Sequence, residues 1–334
     1  MQLNRRTLLA STTKGFASAL LLTPMAKLYA GTDFQYRGPV FGVQTYSFRD
    51  MLPAEGDTVD KMIAGCRALG IHAVELFEPS IQPPEFSANA PWAFIDGKPT
   101  RASVYGKPPE GPPPKDTQII REKIRQWRLA TPLDYFYEIG DRFRRAGIQV
   151  QAFNFSLKMD CTDEEAEKGF LITKALGTSI MTTSTTVEMA ERSVAMMEHF
   201  GVLVGLHGHS NLHDPNQFAR PESFERALEL SPLYGMNFDV GHFHAAGFDS
   251  VAFLKKHHNR ILNVHLKDRK NDFGKNMPFG KGDTPIAEIV QTIVKNRYPI
   301  PMMYEYEYAG SDSITELKKM SAYCLDAAQK ALTS

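Results

Sequence analysis

The feature of this sequence that most restricts its fold is a regular alternation of short β-type runs with helical segments. Eight runs rich in β-branched and aromatic residues occur from residue 40 onward: FGVQTYSF, HAVELFE, QVQAFNFS, SIMTTST, VLVGLHGHS, YGMNFDVGH, ILNVHLKD and PMMYEYEY. Apolar residues recur at helical spacing between them, as in TVDKMIAGCRALG, TDEEAEKGFLITKALG, ESFERALEL, PIAEIVQTIVKN and ITELKKMSAYCLDAAQKAL. Parallel neighbours require crossovers, and right-handed crossovers place the helices outside the sheet. Eight such units predict a closed (β/α)₈ TIM barrel.

An open, doubly wound sheet is the main alternative to this barrel. That fold has a glycine-rich turn after its first strand, and VQTYSFRDM contains no glycine. The length of 334 residues suits one large barrel. Helix boundaries are also marked, because Thr162 and Glu165 form a capping box pattern. Four glycines follow helical segments where helices should end, namely Gly70, Gly147, Gly177 and Gly201.

A proline-rich segment after the second strand breaks the alternation. Residues 79–116 contain ten prolines and little periodicity. Loops at this end of a barrel form active sites, so the insertion is a lid over the mouth, an arm at a subunit interface, or a disordered segment. The stretches WAFI and REKIRQW indicate that parts of it pack. We therefore expect one barrel domain over residues 36–334, with the insertion at 79–133.

The first 30 residues have the order of an export signal. The segment NRRTLLASTTKGFASALLLTPMAKLYAG has paired arginines, then leucines, a short apolar run and small residues near Ala30. This order predicts a twin-arginine type of signal and a periplasmic location, and the apolar run is too short to span a bilayer. Leu28 is larger than the residue usual before a cleavage point, so an uncleaved, membrane-tethered form stays open. A basic amphipathic first helix of the fold is the other alternative.

The net charge argues against nucleic acid as a partner, and the cysteine spacing argues against a disulfide framework or a thiolate metal site. The first 30 residues hold four basic residues and no acid, so the remaining 304 carry 34 basic and 38 acidic residues, a net charge of −4. A chain with this net charge lacks the excess of basic residues that binds a phosphate backbone, so nucleic acid is not expected as a partner. Cys66, Cys161 and Cys324 are widely spaced, which supports neither a disulfide framework nor a thiolate metal site.

Five predicted strands end in side chains that can bind a ligand. They are Glu75 and Glu78 on the second strand, His207 and His209 on the fifth, Asp239 and His242 on the sixth, His265, Lys267 and Asp268 on the seventh, and Glu305 and Glu307 on the eighth. The carboxyl ends of barrel strands carry catalytic groups, and residues two apart share one face. Buried charges without partners cost several kcal/mol, and a divalent metal would compensate them. After the seventh strand, the glycines of PFGKGDTP permit close approach of the backbone to a ligand.

Four of these side chains form a predicted metal site: His207, Asp239, His265 and Glu305. Two imidazoles and two carboxylates suit Mn²⁺, Co²⁺, Fe²⁺, Mg²⁺ or Zn²⁺. Taken singly, Asp239 could instead cap a turn, and His265 could be a core histidine bonded to the backbone. Their convergence from four successive strand ends favours the metal.

The order of the strand-end motifs resembles the xylose-isomerase-like barrel superfamily, often labelled sugar phosphate isomerase/epimerase. The resembling pieces are VQTYSF, VELFE, HGHSN, FDVGH, VHLKD, FGKGD and YEYE, and the similarity spans nearly all of residues 40–330. It implies a (β/α)₈ barrel whose usual metal set is Glu, Asp, His and Glu from the fifth to the eighth strands. Asp239, His265 and Glu305 match the last three, while His207 stands in place of the first glutamate. This departure conflicts with the two-carboxylate mechanism of the family's epimerases.

The resemblance further implies chemistry through an enediolate. A metal facing a substrate carbonyl and its neighbouring hydroxyl stabilises the negative charge that develops there. Glu305 is the expected base, and His207 is either a ligand or the second acid/base. The remaining strand-end groups are expected to bind substrate, namely Glu75, His209, His242, Lys267 and Glu307. Replacing Glu75 should accordingly disturb substrate placement more than metal content.

The function expected from the resemblance is isomerisation or epimerisation of a carbohydrate. The predicted export and the absence of an Arg and Lys cluster at the strand ends favour an unphosphorylated sugar or keto-sugar. A 3-keto-glycoside lyase or hydratase would use the same chemistry. A barrel that binds carbohydrate without catalysis is the non-enzyme alternative, supported by the histidine at position 207. Metal-dependent hydrolysis of the apurinic endonuclease type is disfavoured by the net charge of −4. Homo-oligomers are common in the family.

Overall fold

The eight predicted β-type runs form the eight strands of a closed, all-parallel barrel. The structure, a computed structural model, describes residues 38–52, 56–83, 86, 93–95, 98–100 and 117–333. The barrel strands are β1 (Phe41–Gln44), β2 (Ala73–Phe77), β3 (Gln149–Asn154), β4 (Ile180–Ser184), β5 (Leu203–His207), β6 (Tyr234–Asp239), β7 (Ile261–Leu266) and β8 (Met302–Tyr304). Each strand pairs with its neighbours in chain order, and β8 closes on β1. The predicted (β/α)₈ fold is confirmed.

Helices connect the strands on the outside of the barrel. In the described residues they are α1 (Thr58–Leu69), α2 (Thr117–Ala130), α3 (Leu133–Arg145), α4 (Asp163–Ala175), α5 (Val187–Phe200), α6 (Pro221–Leu230), α7 (Val240–Ala245), α8 (Ser250–His257), α9 (Ile286–Lys295) and α10 (Ser313–Thr333). Single 3₁₀ turns occupy Thr45–Phe48, Glu78–Ile81 and His258–Arg260. All five helical patterns predicted from apolar spacing are therefore helices.

Local capping signals set several helix boundaries. Thr162 Oγ1 accepts from Glu165 N, and Thr162 N donates to a Glu165 carboxylate oxygen, so the predicted capping box is formed at α4. Gly201 ends α5 at φ 61°, a left-handed conformation that a residue with a Cβ adopts at a cost. The chain therefore turns from α5 directly into β5.

The segment after β2 is partly described. Ala93–Ile95 pairs antiparallel with Lys98–Thr100, and α2 packs against α4. The predicted helical stretch REKIRQW lies within α2, which confirms that this part of the insertion packs. Residues 84–85, 87–92, 96–97 and 101–116 lie outside the described part of the chain, so the lid and the interface arm stay expectations.

The predicted export signal, residues 1–30, also lies outside the described residues. Among the described residues, no helix is both long enough and apolar enough to cross a membrane. The core of the barrel is an extended cluster of aliphatic and aromatic side chains between the strands and helices. The three cysteines are buried thiols.

Candidate metal centre and active site

His207, Asp239, His265 and Glu305 meet at the carboxyl end of the barrel. Each offers one ligand atom, and these four atoms all lie within 4.8 Å of one another. All four side chains are buried. They come from β5, β6, β7 and the residue directly after β8, and Asp239 is the direct register partner of His265. This group is the one predicted from the strand ends, and it could hold a metal ion.

Two carboxylate oxygens in this group are suited to a cation. Asp239 Oδ1 accepts from His242 N and caps α7, which leaves Asp239 Oδ2 facing the cluster. Among the described residues, Asp239 Oδ2 and Glu305 Oε2 are buried with no hydrogen-bond partner. Lys267 Nζ lies 3.0 and 2.9 Å from these atoms, in ion-pair contact without hydrogen-bond geometry. Because such oxygens are costly to bury unsatisfied, the donor set fits a divalent metal.

His265 lies between two carboxylates. Its Nε2 contacts Glu75 Oε2, while Nδ1 lies 2.8 Å from Glu305 Oε2 and 3.0 Å from His207 Nε2. Burial lowers the pKa of His265, but the negative charges of Glu75 and Glu305 outweigh it and raise the pKa well above its usual value. A carboxylate that accepts Nε2–H leaves Nδ1 directed at a metal, which is a common arrangement in metal sites.

Glu75 has a different environment from the one expected of a substrate-binding residue. It is fully buried, and both its oxygens accept from protein groups. The donors come from β3, β4, β6 and β7, namely Asn154, Thr182, Asn237, Asn263 and His265. Burial raises the pKa of Glu75, but His265 outweighs it and holds the pKa below its usual value. With its oxygens accepting from these groups, Glu75 is placed to position His265, and its contact with substrate stays a prediction.

The asparagine and threonine donors to Glu75 form a polar layer beneath the predicted metal ligands, and strand-end reasoning missed them. Asn237 precedes Asp239 by two residues, and Asn263 precedes His265 by two. Since residues two apart in a strand share a face, this spacing was the signal that could have found them. Asn237 Nδ2 also lies 3.1 Å from His265 Nε2. The site therefore extends one layer deeper than predicted.

Lys267 places a positive charge beside the acidic side of the cluster. Its Nζ lies within 3.0 Å of Asp239, Glu305 and Glu307, and 3.2 Å from His242 Nε2. Burial lowers the pKa of Lys267, but the three carboxylates outweigh it and raise the pKa well above its usual value. The ammonium is therefore a fixed counter-charge at the mouth.

The other predicted substrate-binding residues surround this lysine. The ring of His209 lies 4.7 Å from that of His207 and 5.0 Å from that of His242. Burial, followed by neighbouring positive charge, holds the pKa of both His209 and His242 well below the usual value, so their imidazoles are neutral. Arg269 Nη1 contacts His242 Nδ1 at 2.6 Å. Glu307 is the more exposed of the two carboxylates after β8.

Two other strand-end acids are placed away from the cluster. Glu78 pairs with Arg128 of α2 through two contacts. Asp268 accepts from the backbone N–H groups of Gly280, Gly282 and Thr284. A Cβ on Gly282 would lie 1.9 Å from Asp268 Oδ1. The close backbone approach expected at this turn is thus made to an aspartate of the chain.

Comparison with known proteins agrees with this architecture. A family model described as xylose isomerase-like TIM barrel matches residues 182–325. No curated protein matches the chain in sequence. Several solved structures share its fold, at identities that support a likeness of fold alone.

Three of these solved structures differ in the function or ligand described for them. A sugar phosphate isomerase/epimerase from Parabacteroides distasonis is 17% identical, with a TM-score of 0.55 over 89% of this chain and 96% of that chain. An L-ribulose 3-epimerase is 12% identical, with a TM-score of 0.58 over 88% and 96%. The IOLI protein, solved with a zinc atom bound, is 14% identical, with a TM-score of 0.56 over 87% and 98%. The resemblance to xylose isomerase-like TIM barrels expected from the strand-end motifs is thus confirmed, by the family model over residues 182–325 and by the fold of the barrel.

Proposed function

We propose that this protein is a divalent-metal-dependent sugar isomerase or epimerase acting on an unphosphorylated sugar or keto-sugar. The observation that carries the proposal is the meeting of four buried ligand atoms within 4.8 Å, two of them carboxylate oxygens without hydrogen bonds. The family model, and the isomerase and epimerase among the similar folds, support the reaction class.

His207, Asp239, His265 and Glu305 would hold the ion. When bound, a divalent cation supplies positive charge opposite the oxygens of an enediolate, lowering the cost of forming it. The donor set suits Mn²⁺, Co²⁺, Fe²⁺, Mg²⁺ or Zn²⁺ alike, and the zinc-bound IOLI protein offers one precedent for the fold.

Glu305 accepts the proton next to the substrate carbonyl. Burial raises the pKa of Glu305, but Lys267 and His265 outweigh it and hold the pKa far below its usual value, so the group is a carboxylate at neutral pH. Contact with substrate would weaken its pairing with Lys267 and increase its basicity. His207 is the second acid/base or remains a ligand, and its Nε2 lies 3.5 Å from Asp239 Oδ2.

Four polar groups at the mouth orient the substrate hydroxyls. Neutral His209 and His242 can each donate and accept, while Lys267 donates and Glu307 accepts. A 3-keto-glycoside lyase or hydratase would use the same proton abstraction, so the distinction between these reactions depends on the leaving group of the substrate. Export by a twin-arginine signal over residues 1–30 belongs to this proposal, because a periplasmic enzyme meets unphosphorylated sugars.

The test is hydrogen exchange from deuterated water into a panel of free sugars and 3-keto glycosides. Chelation should abolish exchange next to the carbonyl, and Mn²⁺ or Co²⁺ should restore it. Glu305→Gln should bind sugar without exchange. Exchange that continues in metal-free protein would contradict the proposal, and sugar binding with no exchange under any metal would favour the binding-only barrel.

A further inference from the structure

The hairpin after β7 places a buried arginine against His242. Asp268–Arg269 and Asn276–Met277 pair antiparallel just beyond the carboxyl end of β7. Arg269 is 9% exposed, and its Nη1 lies 2.6 Å from His242 Nδ1 and 3.0 Å from Ser210 Oγ. The residues predicted from the strand ends do not include Arg269. Its contact with a predicted substrate-binding histidine gives it a place in the site.

A strained turn holds the rest of this guanidinium. Nε and Nη2 of Arg269 donate to the carbonyl oxygen of Gly274, at 3.0 and 2.7 Å, and Nη2 also donates to that of Phe273. Asp272 and Phe273 both have positive φ, 52° and 60°, a conformation that is costly for a residue with a Cβ. Phe273 N donates to Ala245 O, at the end of the helix that carries the histidine. The turn thereby fixes the guanidinium relative to α7.

The neighbours of His242 determine which ring nitrogen carries its proton. A guanidinium donates and does not accept, so His242 Nδ1 is the acceptor in the Arg269 contact. Lys267 Nζ lies 3.2 Å from Nε2, but an ammonium also only donates. An uncharged imidazole has one N–H and one acceptor nitrogen, so it does not accept from both cations. A second proton, on Nδ1, would point at the guanidinium.

The Arg269 contact is the hydrogen bond of the two. It is the shorter contact, at 2.6 Å against 3.2 Å. Lys267 has three carboxylates within 3.0 Å for its three protons, those of Asp239, Glu305 and Glu307. The imidazole proton therefore lies on Nε2.

This Nε2–H has no acceptor at hydrogen-bond distance in the described part of the chain. Its contact of that length is with the ammonium of Lys267, and Asp239 Oδ2 lies 3.9 Å away, too far for a hydrogen bond. The side chain of His242 is 15% exposed, so it is largely shielded from solvent. A shielded N–H without an acceptor is costly, and an oxygen of a bound substrate would satisfy it.

We propose that Arg269 is a positioning residue, which holds His242 with its proton on Nε2 and so makes it a donor to a substrate oxygen. The inference rests on the proposed function and narrows it. His242 then recognises a carbonyl or hydroxyl oxygen that accepts, and it takes no proton from the substrate, because its second nitrogen is bonded to Arg269. Proton abstraction is left to Glu305.

The experiment reads the tautomer of His242 by nitrogen NMR. Full-length protein is isotopically labelled at histidine and measured without metal and with Zn²⁺, which is diamagnetic. Protonated and accepting ring nitrogens differ widely in chemical shift, and His242→Gln assigns the signals. We expect Nε2 to be protonated in the native protein. Arg269→Met should transfer the proton to Nδ1, because Lys267 is then the remaining donor, whereas Arg269→Lys should retain the native tautomer.

A matched control and a kinetic comparison separate positioning from a structural role. Arg260 also donates to backbone carbonyls, but directly before β7, at the opposite end of the barrel, so Arg260→Met should leave the tautomer unchanged. In exchange assays on the fastest-exchanging sugar of the panel, Arg269→Met and His242→Gln should each raise KM about tenfold, the loss of one hydrogen bond. The double variant should be no worse than either single variant.

A proton on Nδ1 in the native protein would overturn this inference. An unchanged tautomer in Arg269→Met, or multiplied effects on KM in the double variant, would do so as well. If Arg269→Met does not fold, the native protein and Arg269→Lys carry the test. Metal-dependent exchange with Nδ1 protonated would remove this inference and leave the proposed function standing. The Nε2–H tautomer without exchange on any sugar would leave the role of Arg269 and remove the proposed function.

Discussion

At the scale of single residues, Asp239 uses its two carboxylate oxygens for different purposes. Oδ1 accepts from His242 N at 2.7 Å and caps α7, while Oδ2 faces the ligand cluster. The sequence presented a turn cap and a metal ligand as alternatives for this residue. The structure shows that the cap leaves the second oxygen available, so the two roles are compatible.

Two replacements of Asp239 separate these roles. Asparagine retains a capping oxygen and loses the negative charge, whereas alanine loses both. We expect both variants to bind Mn²⁺ at least about tenfold more weakly, and Asp239→Ala to unfold about 1 kcal/mol more easily than Asp239→Asn. Metal titration and urea unfolding measure the two effects. Unchanged metal affinity in either variant would remove Asp239 from the ligand set.

At the scale of elements, α2 connects the insertion to the barrel through buried charge. Arg128 is 4% exposed, contacts Glu78 after β2 and Glu165 in α4, and lies over the ring of Phe155. Arg121 of the same helix pairs with Asp160. The helix was recognisable from its sequence, but its partners were not, because they come from segments about 40 to 50 residues away in the chain.

Removing Arg128 tests the strength of this connection. Arg128→Met would leave Glu78 and Glu165 buried with less positive charge, so we expect the free energy of unfolding to fall by about 3–5 kcal/mol. Arg145→Met is the matched control, since Arg145 and Glu138 form an exposed pair whose loss should cost less than about 1 kcal/mol. Equally small losses in both variants would show that the buried network does not hold α2.

At the scale of the whole molecule, the site depends on how the barrel closes. Glu75 of β2 contacts His265 of β7 because the strands between them complete a ring. Register shifts occur next to Glu75 and Asn237, where the polar layer lies. Irregularities of this kind re-aim side chains at functional sites. These register shifts depend on how neighbouring strands pair, so the alternation of apolar and polar residues within one strand could not predict them.

The variant Glu75→Gln tests this layer. An amide group would oppose the donors of Asn263 and His265, so His265 would lose its fixed orientation. From its contact with His265, we expect Mn²⁺ affinity to weaken by about 10–100-fold. The sequence had instead predicted that replacing Glu75 would disturb substrate placement more than metal content. Thr182→Val is the control, because it removes one donor to Glu75 and leaves the His265 contact. A normal metal affinity in Glu75→Gln would contradict the positioning role.

Sequence patterns alone predicted the order of eight strands, the helix pattern, the capping box at Thr162 and the four side chains that could hold a metal. These features follow from local hydrogen bonding and from the two-residue and 3.6-residue periods, which act within short segments. The contact of Glu75 with His265, and that of Arg269 with His242, became visible in the three-dimensional structure. Such contacts depend on the closing of the barrel and on the pairing of buried charges. These two effects bring together residues that are far apart in the chain.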